Sequence, residues 1–264
     1  MRILTTLFAL AALACAVAIA AAGPGSQIGW WSWGDGLTLI RKVSAPVELG
    51  PVGFSPIFTA AVLAALTGVV SFFMGARGTG AFAVLAAVAA GALGMVPVQM
   101  KADVEANPFI HDITTDFDNP PPIIAGAPAR AGEGFNPPDY LGDELVLDTG
   151  KSVEEWQKEA FPDIEPQTVN AGLDETAEIA RVILKDMNMT MIDETLTDEG
   201  WLLEATYKSP WFGFIDDFVV RLTPEGSMTR VDVRSKSRVG LSDLGANAKR
   251  VREFFEKLEA ATPS

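Results

Sequence analysis

Residues 214–250 read FIDDFVVRLTPEGSMTRVDVRSKSRVGLSDLGANAKR, and this stretch decides the fold. Two alternating runs, Asp217–Leu222 and Thr229–Val239, flank a turn at Pro224-Glu225-Gly226 and predict a β-hairpin. Taking Glu225-Gly226 as the tip sets Val220 opposite Val231, Phe218 opposite Val233, Asp217 opposite Arg234 and Asp216 opposite Ser235. Side chains alternate across a strand, so one face collects Phe218, Val220, Leu222, Val231 and Val233 as core. The other face carries Asp217, Arg221, Arg230, Asp232, Arg234, Lys236 and Arg238. That face is expected to be exposed, with cross-strand ion pairs contributing about 0.2–1 kcal/mol each.

Downstream, Leu244, Ala248, Val251, Phe255 and Leu258 form the apolar stripe of a helix from about Asp243 to Ala260. Ser242 is its expected N-cap. Asp216, Ser235 and Ser237 point to the core side of the hairpin, and Asn247 lies on the helix stripe. Buried polar groups need partners, so these four are expected to form a hydrogen-bonded cluster fastening helix to sheet. Arg238 lies beside the helix start with Arg250 two turns on, which makes Arg221, Arg234, Arg238, Ser242 and Arg250 the candidates for contact with an anionic ligand. Asp243 at the positive helix end works against that site.

A catalytic alternative uses Asp216 or His111 as acid/base, with Arg234 or Arg238 holding an anion. The chain has one His and one Cys, and no nucleophile, base and orienting group line up. No catalytic residue, metal ligand or cofactor is therefore assigned. His111 with Asp112, Asp116 and Asp118 is read as structural hydrogen bonding rather than a divalent-ion cluster.

Working outward, Met189–Glu194 and Gly200–Lys208 are two more strand candidates, and Leu173–Met187 is a helix. Ser152-x-x-Glu155 has the form of a capping box opening a short helix. The expected fold for residues 139–264 is α+β: two layers, a mainly antiparallel sheet packed on two helices. Residues 101–138 form a Pro/Asx-rich connector in which Gly126–Asn136 reads as a flexible linker.

Residues 1–100 form a membrane region with apolar runs at about 3–22, 54–74 and 81–98. The first is read as an uncleaved anchor rather than a signal peptide, because it exceeds the usual signal core and two more spans follow. Between spans, Trp30, Trp31 and Trp33 suit a membrane–water interface. Small residues recur every fourth place, Ala60, Ala64, Gly68 and Ala83, Ala87, Gly91, so the second and third spans are expected to pack closely as a hairpin. Neither contains an ionisable side chain, which argues against an ion pathway or transporter. Three crossings from an inside N-terminus would place the soluble half outside the cytoplasm, on the periplasmic side of an inner or plasma membrane.

Residues 1–100 carry four Lys/Arg against two Asp/Glu, and the rest carries 16 against 32, so the net charge is +2 and −16 respectively. So acidic a soluble half repels nucleic acid, and nucleic acid is excluded as a partner. Cys15 is the only cysteine, so no disulfide forms within one chain.

The motifs Phe214-Ile215-Asp216-Asp217, Val231-Asp232-Val233-Arg234-Ser235, Ser237-Arg238-Val239-Gly240 and Ser242-Asp243-Leu244-Gly245, with Asn247 and Arg250, carry a family resemblance. Pro162-Asp163-Ile164 and Ile110-His111-Asp112-Ile113-Thr114-Thr115-Asp116 extend it. From Phe109 to the C-terminus the chain resembles the domain-of-unknown-function family numbered 1499, with Phe161 where a Tyr is usual. The resemblance implies a bacterial or plastid envelope-associated protein and supplies no activity, cofactor or catalytic residue. The expected function is that of a membrane-anchored, extracytoplasmic binding or assembly module for a lipid, an anionic small molecule or an envelope protein. The alternatives are a hydrolase-like enzyme and a structural subunit of a membrane complex.

Overall fold

A computed structural model describes residues 1–49 and 52–262. They form two compact units, Met1–Ala102 with Pro210–Gly213, and Asp103–Ser209 with Phe214–Ser264.

In the first unit, α1 (Arg2–Gln27), α3 (Pro56–Phe73) and α4 (Arg77–Ala106) are long and apolar enough to cross a membrane. Thr5 Oγ1 and Ser71 Oγ lie 2.8 Å apart and join α1 to α3 by a buried hydrogen bond. Gly68, Gly80 and Ala83 let α3 and α4 approach closely: a Cβ on Gly80 would lie 2.6 Å from the Gly68 carbonyl oxygen. Gly91, expected in this stripe, has nothing within 4 Å of a Cβ position. The polar interval holds a helix that hydropathy alone does not flag, α2 (Trp33–Ser44), opened by a Ser32/Asp35 capping box. A short hairpin follows, β1 (Val47–Leu49) and β2 (Val52–Phe54). Trp30 and Trp33 are exposed, while Trp31 Nε1 donates to the Ala22 carbonyl at 2.8 Å.

The second unit is the expected α+β fold. Its elements are β3 (Asp112–Thr114), α5 (Val153–Ala160), β4 (Gln167–Val169), α6 (Leu173–Asp186), β5 (Thr190–Thr197), β6 (Gly200–Lys208), β7 (Ile215–Glu225), β8 (Met228–Ser237) and α7 (Ala246–Ala261). The sheet is antiparallel in the order β3-β8-β7-β6-β5, and β4 shares the outer edge of β8 with β3. The free strand β5 carries Asp193 and Glu194 and a register shift between Met191 and Asp193, features that blunt an edge against further pairing. Phe218, Val220, Leu222, Val231 and Val233 meet α6 and α7 through Ala177, Leu184, Val251, Phe254 and Leu258 in one core.

Four sequence expectations are corrected. The hairpin tip is Gly226-Ser227, not Glu225-Gly226, because Gly226 takes φ +67°, which the first central position of a primed turn demands. Pairing shifts by two residues, so Val220 faces Val233, Asp217 faces Lys236 and Asp216 faces Ser237. An even shift leaves the face assignment intact. The last helix starts at Ala246, and its N-cap is Gly245 in the left-handed region rather than Ser242. Gly126–Asn136 is no free linker: a 3-10 turn at Ala127–Arg130 buries Arg130.

Candidate functional site

The ionic face of the hairpin is buried, contrary to the sequence expectation. Asp112, Asp217, Asp232, Arg234 and Lys236 are each at most 3% exposed. Alternation puts these side chains on the face opposite the helices, and residues 116–139 lie across it as a lid. Arg221 donates to the Asn119 carbonyl, Arg234 to those of Pro121 and Pro138, and Lys236 to that of Asp139.

Each carboxylate of this face has cationic or backbone donors. Asp112 accepts from Arg234 at 2.9 and 2.8 Å and lies 3.1 Å from Lys236 Nζ. Burial alone would raise its pKa, but the guanidinium and ammonium outweigh that and hold it below the ordinary carboxylate range. Burial also depresses the pKa of Lys236. Asp217 accepts from Arg130 at 2.7 Å and from Arg238 at 3.0 and 2.7 Å. Asp232 pairs with Arg221 at 3.1 Å and Arg230 at 3.0 Å. Glu204 of β6 accepts from the backbone N–H groups of Ile124, Ala125 and Gly126 at 2.8–3.1 Å.

On the helix side, Ser235 Oγ donates to Asn247 Oδ1 at 2.6 Å, and Asn247 Nδ2 donates to Ser237 Oγ at 3.0 Å. Arg250 joins them, donating to Asp216 at 2.9 Å, to Ser235 Oγ at 3.2 Å and to Asn247 Oδ1. Asp216, Ser235, Ser237 and Asn247 thus come together with Arg250 between α7 and the sheet. Asp243 accepts from the N–H groups of Gly245 and Asn247 at 2.8 and 3.0 Å, and burial raises its pKa to about 6.

The five ligand-contact candidates therefore do not share a surface. Arg221, Arg234 and Arg238 lie on the lid side, Arg250 on the helix side, and Ser242 accepts from the Leu244 N–H at 3.2 Å. The hydrolase-like constellation is not assembled either: Asp216 points to the helix side, and Arg234 and Arg238 to the other. His111 Nδ1 lies 3.4 Å from the Leu241 carbonyl oxygen, and burial lowers its pKa. Among the described residues, no three His, Cys, Asp or Glu side chains group as metal ligands.

One concave feature of this unit is a groove of about 500 Å³ at one end of the lid. Phe117, Phe161, Pro162, Ile164 and Pro166 supply its apolar lining, and Asp116, Asp118, Lys158, Glu165 and Arg230 its charges. Lys158 Nζ sits 4.6 Å from the Phe117 ring centroid and bonds Glu154 at 2.5 Å. Arg230 is bound to Asp116 and Asp232. Among the described residues, Asp118 and Glu165 have no ion-pair partner.

Sequence reasoning overlooked Arg130 and Glu204, whose carboxylate or backbone partners lie about 80 to 90 residues away, with no local pattern to announce them. For α2 a signal was present: Ser32-x-x-Asp35 is a capping box followed by Leu37 and Ile40. A model of the family described as "Protein of unknown function (DUF1499)" matches residues 112–258, from β3 through most of α7. Among curated proteins none matches the chain.

Proposed function

We propose that this chain, which belongs to the DUF1499 family of proteins of unknown function, is a membrane-anchored module that binds a partner protein outside the cytoplasm. The ligand is an apolar segment carrying basic residues, seated in the Phe117–Phe161 groove. One observation carries the reading: the groove has an apolar lining and two carboxylates, Asp118 and Glu165, that no cation of the described chain neutralises. The arginines that pointed to an anion are meanwhile consumed inside the fold. Asp216, an acid/base of the catalytic alternative, is paired with Arg250 at 2.9 Å on the face away from Arg234 and Arg238, and this favours binding over catalysis.

The test places a photo-crosslinking phenylalanine analogue at Phe117 in the full chain, in its own membranes. A discrete protein adduct should form and be lost when Asp118→Lys and Glu165→Lys reverse the groove's charge. An adduct indifferent to that reversal, or none, overturns the reading. A reporter fused after Ser264 checks the side of the membrane: a cytoplasmic signal sinks the extracytoplasmic assignment.

A further inference from the structure

Residues 115–118, Lys158 of α5 and residues of the 161–166 segment line the groove, together with Arg230 of β8, and all belong to the second unit. The two cations among them are held very differently. Arg230 is bound to Asp116 and Asp232, so its charge is committed inside the fold. Lys158 pairs with one carboxylate, Glu154, four residues back on the same helix, and Glu154 does not line the groove. The Lys158 side chain is 54% exposed, so packing does not fix it. Its ammonium nevertheless sits 4.6 Å from the centroid of the Phe117 ring. A cation that close to an aromatic face is attracted by the ring's quadrupole.

The same groove holds Asp118, next to Phe117 in the chain, and Glu165, the two carboxylates without an ion-pair partner among the described residues. It therefore offers an ammonium an aromatic face and unneutralised carboxylates at once. The chain's own ammonium uses the first and leaves the second unpaired.

We propose that Phe117, Asp118 and Glu165 form a subsite for a lysine side chain of the partner, and that Lys158 occupies it in the free protein as a built-in competitor. This rests on reading the groove as the docking site. Lys158 leaves the ring by rotating an exposed side chain, a motion of picoseconds to nanoseconds, and keeps Glu154 within reach. The incoming ammonium takes over the ring and adds Asp118 and Glu165, which Lys158 does not pair with. A neutral apolar segment has no such gain, because it strips a cation from the ring and puts nothing charged in its place. The competitor thus makes the groove selective for partners that bring a cation.

The experiment uses the full chain in detergent micelles with Phe117 replaced by 4-fluorophenylalanine, which keeps the ring and reports by fluorine NMR on what lies over it. The probe is n-butylammonium, the lysine side chain without its backbone, exchanged for sodium at constant ionic strength. The uncharged control is n-butanol. Lys158→Met keeps the stem without the charge, and Lys158→Arg restores a cation. Butylammonium should shift the fluorine signal at a several-fold lower concentration in Lys158→Met than in the wild type. Lys158→Arg should behave as the wild type does, and butanol should act alike in all three proteins. Equal half-effect concentrations in Lys158→Met and the wild type overturn the competitor and leave the groove's partner standing. A gain of the same size with butanol also overturns it, because the substitution then merely opens the groove to any apolar solute. If butylammonium does no more than sodium in all three proteins, the lysine subsite is overturned, while the crosslinked adduct decides the partner reading independently.

Discussion

Asp112 shows how much one carboxylate decides on the covered face of this sheet. It lies between Arg234 at 2.8 Å and Lys236 at 3.1 Å, in a site almost closed to water. Removing its charge leaves two cations buried side by side, with the desolvation cost of each uncompensated. Asp112→Asn should destabilise the protein by about 3–5 kcal/mol, read from denaturant titration in detergent. Asp118→Asn, at an exposed carboxylate without a pair, should stay within about 0.5 kcal/mol. If the two variants lose equal stability, the buried network is not what holds the lid. The sequence shows charged types at alternate positions of β8, but their burial was not legible there. Strand alternation says which side a residue points to and not what lies over that side.

At the scale of the element, α7 is set by Asp243 rather than by the neighbouring Ser242. Gly245 reaches the left-handed region at φ +81°, and the Asp243 carboxylate then accepts from Gly245 and Asn247 at the start of the helix. The apolar stripe of α7 was readable from its period, whereas its first residue depended on how the preceding turn folded back on Ile110 and Asn107. Burial lifts the Asp243 pKa to about 6 from an ordinary value near 3.8. The folded state therefore binds more protons than the unfolded state between about pH 4 and 6, and this group's contribution to stability falls as pH rises through that window. His111 acts in the opposite sense, because burial lowers its pKa. The comparison is therefore wild type against Asp243→Asn. Subtracting the two stability–pH curves should isolate a slope confined to about pH 4–6, and parallel curves would show that Asp243 is not the titrating group.

For the whole molecule, the segment between the apolar part of α4 and the sheet is a structural layer. Residues 103–139 supply edge strand β3, the Asp112 charge, Arg130 against Asp217, and the backbone N–H groups that hold Glu204. A soluble fragment beginning at Asp103 should unfold cooperatively on heating, followed by circular dichroism. A fragment beginning at Asp139 should show no cooperative transition, because Arg234, Lys236, Asp217 and Glu204 would lose partners together. A cooperative transition in the shorter fragment would mean that the lid is dispensable.

The Phe214–Arg250 stretch by itself determined the hairpin, the division of its side chains between two faces, and the stripe of the last helix. Those features follow from periods of 2 and 3.6 residues and from glycine at a turn, all local properties of the chain. Apolar runs of about twenty residues likewise determined three helices capable of crossing a membrane. Only the tertiary structure decided what the charged face does. Asp112, Asp116 and Arg130 reach it from about 90 to 120 residues away in sequence, and they convert an expected ligand surface into a buried ionic layer. The physical reason is that a charge's role depends on its neighbours and its access to water, and chain topology sets both.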